Sequence, residues 1–566
     1  MKNLVKLSFT LLMAALMFTG CNCFKKMAKN LDSVEVKCTP EVLVLNNGKV
    51  AATVAVSFPD GYFDEDAIVK ITPVLMYDGG EAAATPYFYQ GTKVEDNYKV
   101  VTTGATEDIE FAYTSEMRKS TLQLRVEVKC KDEFTVINLN TGAELKSNES
   151  AADGGYNLAL GINTLQQDFR PIDLMTKMPS GYQRVTNTVE ESNVMYAINS
   201  SAVSSKALKS ECVAAFKALI EENSKNDRAT QKLSAQGYAS PDGPEKLNDK
   251  LSKARSESAK AAIAKFAKEY GLTIDVSSYG EDWDGFKALV EASNIQDKNL
   301  ILQVLSLYDS SVKREEEIKN LSAVFSALET EVLPQLRRTK MVNDVELVGK
   351  SDEEIMECFA NRNERREELT LLEILHITDS KSMRNAKHQV GQLEYAAKKF
   401  NDGVAYNNLG VTYARLARYD DAVGAFNKAA ELGVEPAITN KNLTLTYLAM
   451  YNVAAAGKHA GKVDKKTKSL YQAYTGNYTP ASKQLGGYNK AIALTMLNQY
   501  DAADKAIGKD KSAEALYLHA VIASLKGDTK TAETQLKEAI KKNGQMANKA
   551  VSDVNLDNLF NSGFTL

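Results

Sequence analysis

Histidine and tryptophan are scarce in this sequence, which has four histidines and one tryptophan among 566 residues. The first histidine is His376, and none of the four stands at metal-ligand spacing from another histidine or from a cysteine. The sequence also lacks a Gly-x-Ser-x-Gly segment and a glycine-rich phosphate loop. Because these constellations are missing, we expect no catalytic residues, no metal site and no cofactor, and therefore no enzyme.

A dominant charge and long apolar runs are lacking as well. Charged residues make up 25% of the chain and the net charge is −4, without a basic stripe that would indicate a nucleic-acid partner. After the first twenty residues, no stretch is apolar enough to be predicted as a membrane span. A length of 566 residues instead predicts several soluble domains of roughly 150 residues each.

The start of the chain has the pattern of a secretory signal. A short basic segment precedes an apolar run over residues 7–18, which is shorter than the roughly 20 residues of a spanning helix. The run ends in Phe18-Thr19-Gly20-Cys21, which resembles the lipobox of bacterial lipoproteins. The resemblance implies cleavage before Cys21 and a covalent lipid on that residue as the outer-membrane anchor. The alternative is an uncleaved anchor. The segment that follows is basic and lacks an acidic cluster, which favours a periplasmic rather than a surface-exposed protein.

Alternating apolar residues predict a β-sandwich over residues 31–150. The alternation is clearest in 50–58 and 122–128, and Asn-Gly and Asp-Gly pairs separate the strands. Two of the predicted strands end in the same Val-Glu-Val-Lys-Cys segment, at Cys38 and Cys130. In an oxidising compartment these cysteines either pair across one sheet or remain two unpaired thiols. We expect the module to be a spacer or a protein contact.

Strands and amphipathic helices alternate over residues 185–350, which predicts an α/β domain. The segment 237–255 resembles the peptidoglycan-binding motif of the OmpA C-terminal family. The positions that match its pattern are Gly237, Gly243, Asn248, Leu251, Ser252 and Arg255, and Arg337 and Arg338 resemble its later arginine pair. Residues 282–335 form a helical insertion in this pattern.

The resemblance implies that this domain binds the diaminopimelate of the cell wall. In the family, an aspartate takes the ammonium group of that zwitterion and the arginine takes its carboxylate. This sequence has Ser240 where the family has the aspartate, and Asp242 follows two residues later. A loop that feeds a helix N-terminus supports an anion site on physical grounds, because its N–H groups and the helix dipole favour negative charge. The candidate peptidoglycan-binding residues are Gly237, Ser240, Asp242, Asn248, Arg255, Arg337 and Arg338.

A helical repeat begins after about residue 400. Apolar and small residues follow the 34-residue spacing of the tetratricopeptide repeat, at Tyr406, Leu409, Gly410, Tyr413, Ala422, Phe426 and Ala429, and the register continues downstream. Such helix pairs stack because one pair cannot bury its apolar face alone. The resemblance implies a groove that binds a protein partner.

The sequence therefore predicts a multidomain protein: a β-sandwich, then an α/β OmpA-like domain, then an α-helical repeat solenoid. The expected segments are a signal peptide (1–20), a tether (21–30), the sandwich (31–150), a connection (151–184), the α/β domain (185–350) and the repeats (351–566). The combination resembles envelope lipoproteins of Bacteroidetes-type bacteria. We expect an outer-membrane scaffold that contacts peptidoglycan and protein partners.

The alternative is an accessory subunit or assembly factor of a surface or secretion complex, in which the OmpA-like domain is a protein contact. The presence of Ser240 favours this alternative, whereas Asn248 and Arg255 favour wall binding.

A substitution of Cys21 tests the lipid anchor. We expect Cys21→Ser to leave an unprocessed and mislocalised protein, because the hydroxyl cannot replace the thiol that is acylated. Mass spectrometry of the mature N-terminus measures this directly in the wild type and the variant. A mature wild-type chain that begins elsewhere, with an unacylated amino group, contradicts the prediction.

Overall fold

The computed structural model describes residues 22–130, 134–139, 143–144, 155–296, 298–360 and 365–566. These residues form two compact units, of which the first combines the chain up to Pro179 with Met383–Leu566 and the second is Ser180–Ser382. The second unit is thus inserted in sequence between the two parts of the first. Cys21 lies outside the described residues, so its lipidation stays a prediction. Within the described ranges, no helix is long and apolar enough to cross a membrane.

The N-terminal part of the first unit is rich in β-strands, as predicted. A short helix, α1 (Asn22–Lys29), precedes two sheets. One sheet has the order β1-β3-β2-β13 with β8 beside β3, and the other has the order β11-β10-β9-β4-β6-β7 with β12 beside β9 and β5 beside β4. The strands are β1 Glu35–Thr39, β2 Leu43–Asn46, β3 Lys49–Ser57, β4 Ile68–Tyr77, β5 Gly80–Ala83, β6 Tyr87–Gln90, β7 Lys99–Val100, β8 Gly104–Ala112, β9 Ser120–Lys129, β10 Phe134–Asn138, β11 Ala143–Glu144, β12 Tyr156–Leu160 and β13 Ile162–Asn163.

The two sheets share one hydrophobic core. Val50 and Val54 of β3 are buried in the same cluster as Leu122 and Leu124 of β9. In β3 the buried side chains alternate with exposed or half-buried neighbours, because successive residues of a strand point to opposite faces of the sheet. The alternation in the sequence therefore identified the strands that form the sandwich.

The cysteine pairing differs from the one proposed between Cys38 and Cys130. Cys130 forms a disulfide with Cys23, with 6.1 Å between the two Cα atoms, and Cys38 is a buried free thiol. The reason is that Cys38 lies on β1 beside Val54 in one sheet, whereas Cys130 follows β9 in the other sheet. Helix α1 brings Cys23, rather than Cys38, to Cys130.

The connection expected over 151–184 is more structured than predicted. Strands β12 and β13 add to the sandwich, and two 3-10 turns follow at Leu165–Asp168 and Pro171–Leu174. Residues 163–178 then lie along the helical repeats of the same unit, as the site geometry below shows.

The second unit is an α/β domain, as the alternating pattern predicted. Its sheet has the order β14-β17-β15-β16; β15 and β16 are parallel, and β17 is antiparallel to both β14 and β15. Helices α3 and α4 share a hydrophobic cluster with the sheet, which includes Phe216, Leu233 and Ile263. The elements are β14 Val185–Met195, α2 Ser205–Leu208, α3 Glu211–Ser224, β15 Ala229–Ala239, α4 Glu245–Glu269, β16 Ile274–Glu281 and β17 Arg338–Val348.

The insertion between β16 and β17 is helical and has a core of its own. Phe286, Ile301 and Leu333 belong to this separate cluster. Its helices are α5 Trp283–Ala292, α6 Lys298–Leu307, α7 Ser311–Asn320, α8 Ser322–Glu331 and α9 Leu333–Leu336. These helices run from Trp283 to Leu336, where the sequence predicted a helical insertion over 282–335.

The predicted boundary at residue 351 is wrong. Helices α10 (Asp352–Ala360) and α11 (Leu371–Asp379) belong to the α/β unit and not to the repeats. Arg228, just before β15, forms an ion pair of 2.6 Å with Glu354 of α10, and Lys350 pairs with Glu373 of α11. These ion pairs connect both helices to the α/β unit.

The chain after residue 383 is a series of helix pairs that match the predicted repeats. Gly410 of α13 shows why small residues recur at the contacts: a Cβ on this glycine would lie 2.6 Å from the ring of Phe426 in α14. The helices are α12 Ala386–Phe400, α13 Gly403–Arg415, α14 Tyr419–Glu431, α15 Pro436–Ala449, α16 Val453–His459, α17 Lys465–Tyr474, α18 Thr479–Gln484, α19 Gly487–Met496, α20 Tyr500–Ile507, α21 Ala513–Leu525, α22 Thr529–Lys542, α23 Gln545–Val551 and α24 Asp557–Asn561.

The Cys23–Cys130 disulfide predicts a stability effect. We expect Cys130→Ser to lower the free energy of unfolding by about 2–4 kcal/mol, because the bond closes a long loop in the unfolded chain. Chemical denaturation measures the change, and Cys212→Ser, which removes an exposed free thiol, is the matched control. Non-reducing peptide mapping of the wild type identifies the pair. A peptide linked through Cys38 and Cys130 contradicts the assignment.

Candidate functional site

The loop of the α/β unit that resembles the wall-binding motif connects β15 to α4. Gly237, near the end of β15, allows the helix to lie directly against the strand, since a Cβ there would be 1.9 Å from the carbonyl oxygen of Ser252. Pro244 precedes the first turn of α4 and accepts backbone hydrogen bonds from Leu247 and Asn248. The glycine of the motif is therefore explained by helix–strand packing.

Ser240 and Asp242 lie together at this loop and contact Arg337. The Ser240 hydroxyl donates to Oδ1 of Asp242 at 2.6 Å, and Nη2 of Arg337 donates to Oδ2 at 3.0 Å. The Nε of Arg337 is 3.3 Å from the Ser240 hydroxyl oxygen. Asp242, and not Ser240, therefore supplies the negative charge at this position, and it is already paired with an arginine of the same chain.

Arg255 of α4 is buried beneath the loop, with 1% of its surface exposed. Its guanidinium donates to the carbonyl oxygens of Ser200 at 3.0 Å and Tyr238 at 2.9 Å, and it lies over the Tyr196 ring. Burial lowers the pKa of Arg255 to about 10, and the charge of Arg337 contributes to the lowering. The group remains protonated at neutral pH. Among the described residues, Arg255 forms no ion pair, so its charge is compensated only by neutral carbonyl groups and by the nearby Asp242.

Asn248 and Arg338 position the loop and its surroundings. The amide of Asn248 donates to the Gly243 carbonyl at 3.0 Å and to Glu281 at 2.9 Å. Arg338 forms an ion pair of 2.7 Å with Asp282, which also caps helix α5. Asn248 and Arg338 are therefore held by neighbouring protein groups. We call Asp242, Arg255 and Arg337 the charged cluster, because their charges interact with one another.

A cleft of about 300 Å³ opens beside Asp242, between the loop and helix α7 of the insertion. Its acidic lining residues are Asp242, Glu245, Glu281 and Glu315, and Lys319 is its basic lining residue. Glu281 was not among the predicted site residues, and its position at the end of β16 was the available signal. The Glu281 carboxylate accepts hydrogen bonds from Asn248, Ser311 and the indole N–H of Trp283. The single tryptophan of the sequence thus has a structural role beside this cleft. The cleft is therefore lined mainly by carboxylates, and Asp242 is the residue that it shares with the contacts of Arg337.

The second predicted site, the groove of the repeats, is occupied by residues 163–178 of the same chain. Three buried asparagines of α13, α15 and α19 each form two hydrogen bonds with the backbone of one residue in this segment. The pairs are Asn408 with Met178 at 2.8 and 2.8 Å, Asn442 with Thr176 at 2.9 and 2.9 Å, and Asn489 with Arg170 at 2.7 and 3.1 Å. In each pair the asparagine carbonyl accepts from the backbone N–H and its amide donates to the backbone carbonyl. We call these three residues the asparagine clamp.

The side chain of Arg170 gives the segment a specific register in the groove. Its guanidinium lies 3.8 Å from the centre of the Tyr488 ring and forms an ion pair of 2.8 Å with Asp510. It also donates to the Ser512 hydroxyl at 2.7 Å. A planar cation that stacks on an aromatic ring and pairs with a carboxylate is a geometry that lysine reproduces poorly.

The segment continues past Arg170 toward the end of the repeats. Lys549 of α23 pairs with Asp168, and the amide of Asn555, close to the end of the chain, donates to Oδ1 of Asn163 at 3.2 Å. The chain therefore runs antiparallel to the order of the repeats, since its later residues contact the earlier helices. The sequence contained one signal for this arrangement, because Asn408 and Asn442 are one repeat period apart.

Comparison with known proteins shows limited similarity. No family model and no curated protein matches the chain. Among solved structures, the Cut9–Hcn1 hetero-tetramer of the APC/C is 13% identical with a TM-score of 0.30; the match covers 38% of this chain and 46%, less than half, of that one. A tetratricopeptide repeat protein from Parabacteroides merdae is 15% identical with a TM-score of 0.28, covering 37% of this chain and 91% of that one. YrrB, described as a TPR protein with an unusual peptide-binding site, is 15% identical with a TM-score of 0.20, covering 36% of this chain and 99% of that one. Likeness at this level carries no argument about partners, and the repeat architecture rests on the helix pairs described above.

The asparagine clamp predicts a local loss of stability on substitution. We expect Asn442→Ala to lower the free energy of unfolding by about 1–3 kcal/mol, because it leaves the Thr176 backbone N–H without its partner and the Thr176 carbonyl with the Asn407 amide alone. The amides of Thr176 and Met178 should exchange with solvent faster in the variant. Denaturation and hydrogen exchange measure the two effects, with the exposed Asn477→Ala as the control. Unchanged exchange in the segment contradicts the assignment.

Proposed function

We propose that this protein is a non-enzymatic scaffold of the cell envelope. A lipid on Cys21 anchors it to the outer membrane on the periplasmic side, the α/β unit contacts peptidoglycan, and the helical repeats carry protein contacts. The observation that carries the wall contact is the buried Arg255, which has no ion-pair partner among the described residues and lies near Asp242 and Arg337.

The charges of this cluster favour an anionic group. Arg255 and Arg337 contribute two positive charges and Asp242 contributes one negative charge, so the cluster has an excess of one positive charge. A ligand carboxylate beside the arginines compensates this excess through charge-assisted hydrogen bonds. The lowered pKa of Arg255 supports this, because burial and the charge of Arg337 make its charged form less favourable until an anion is present.

The acidic cleft complements the arginines. Asp242 belongs to both the cleft and the charged cluster, and Glu281 and Glu315 extend the negative lining beyond it. A ligand with an ammonium group near a carboxylate therefore fits with the ammonium in the cleft and the carboxylate toward Arg255. The diaminopimelate of the wall peptide, implied by the OmpA-like motif, has this arrangement.

The alternative function, a subunit or assembly factor of a surface or secretion complex, is favoured by a specific observation. Both oxygens of Asp242 are already engaged, one by Ser240 and one by Arg337. A ligand ammonium must compete with these contacts. In the alternative, the α/β unit is a protein contact and the cluster only stabilises the loop.

Binding of the full chain to purified sacculi tests the wall contact. We expect Asp242→Asn to weaken binding about tenfold, because the ligand ammonium loses its charged partner, and Arg255→Lys to weaken it because lysine lacks the carboxylate-shaped fork. The control is Asp275→Asn, which changes an exposed carboxylate at the opposite end of β16.

The Ser240→Asp variant distinguishes the two functions. It places a second carboxylate beside Arg337 and Asp242, and we expect it to strengthen wall binding by about 1–2 kcal/mol. Circular dichroism establishes that each variant is folded. If the wild type does not bind sacculi and Ser240→Asp does not create binding, the wall contact is wrong and the alternative function stands.

A further inference from the structure

The repeats have a second concave surface that none of the described residues fills. A cleft of about 730 Å³ lies between α18, α19 and α20, and a cleft of about 370 Å³ lies between α17 and α18. Both are lined by Thr479 and Lys483, so they form one continuous surface, which we call the lysine face. None of its lining residues is among the groups described above that hold residues 163–178. A partner on the lysine face therefore need not displace that segment.

The charge of this surface is unbalanced. Its clefts are lined by Lys465, Lys468, Lys483, Lys490 and Lys505 and, among the described residues, by no carboxylate. None of these five lysines forms an ion pair within the described part of the chain. Residues 453–500 contain seven lysines and a single acidic residue, Asp464, which pairs with Lys441 at 3.2 Å. A local positive excess of this size in a chain with a net charge of −4 favours an acidic partner.

The floor of the larger cleft is apolar. Leu485 and Leu494 line it and are each 5% exposed, and Leu497 is half-buried beside them. A surface with lysines at its rim and leucines at its floor matches a segment with acidic and apolar side chains. A membrane surface fits less well, because lipid headgroups lie in a plane and do not enter a cleft between helices.

We propose that the lysine face binds an acidic, amphipathic segment of a partner protein. The inference rests on the proposed scaffold function and assigns its protein contact to a surface other than the groove. The carboxylates of the partner pair with the rim lysines, and its apolar side chains contact Leu485 and Leu494. Because the rim pairs are exposed, the association weakens with increasing ionic strength.

The test uses the full chain and a fluorescein-labelled peptide of repeated Glu-Leu-Glu-Ala units. We expect saturable binding by fluorescence anisotropy that weakens by at least about tenfold in Lys483→Glu/Lys490→Glu/Lys505→Glu. The matched control is Lys398→Glu/Lys530→Glu/Lys541→Glu, which changes the net charge equally at exposed lysines of α12 and α22 and should bind like the wild type. The same peptide with lysine in place of glutamate should not bind.

Three results overturn the proposal: no binding of the acidic peptide to the wild type, equal losses in the two triple variants, or lysine-dependent binding of phosphatidylglycerol vesicles without peptide binding. The last result assigns the face to a membrane surface. Sacculus binding of the same variants separates this test from the proposed function. We expect Lys483→Glu/Lys490→Glu/Lys505→Glu to retain wall binding while it loses the peptide.

Discussion

In the first unit, the packing of residues 163–178 on the helical repeats depends on the asparagine clamp. Backbone N–H and carbonyl groups are rarely buried without partners, and residues 164–178 pair with no strand within the described part of the chain. Asn408, Asn442 and Asn489 supply the missing partners from the inner helices, and each satisfies a donor and an acceptor of one residue. The segment can therefore lie extended among helices, and the sandwich from which it emerges packs in the same compact unit as the repeats.

In the charged cluster of the α/β unit, the buried polar groups also have hydrogen-bond partners, but one of the buried charges is not paired. The Arg255 guanidinium is buried and satisfied by carbonyl groups, so its hydrogen bonds are made but its charge is not paired within the described residues. Asp242 differs from Arg255 in that its charge is paired: one carboxylate oxygen accepts from Arg337, and the other accepts from Ser240. In the proposed wall contact, the ligand supplies a carboxylate to Arg255, and its ammonium group competes with the ion pair between Asp242 and Arg337.

The sequence predicted elements better than it predicted contacts. The alternation in 50–58 and the helical spacing around Tyr406 identified the sandwich and the repeats, because local burial patterns produce these periodicities. The pairing of Cys130 with Cys23 was missed because it depends on where helix α1 packs and on which sheet each strand joins, and the periodicity of the sequence indicates neither. The boundary at 351 failed because α10 is helical like the repeats, and its place in the α/β unit depends on contacts distant in sequence, such as the ion pair with Arg228. The binding of residues 163–178 in the groove was not predicted. The 34-residue spacing of Asn408 and Asn442 indicates that the two asparagines have the same role, but it does not indicate which segment they bind.

The insertion of Ser180–Ser382 within the first unit has a consequence for the order of events on the ribosome. Residues 163–178 are synthesised before the α/β unit, and the helices that hold them are synthesised after it. The α/β unit can complete its core while the backbone groups of the segment are still exposed. Arg170 can form its contacts with Asp510 and Ser512 only after these residues have been synthesised. Contacts at such separation close slowly, because a long loop must be ordered before they form. During this interval the backbone groups of the segment that the asparagine clamp later binds can form hydrogen bonds only with water or with each other.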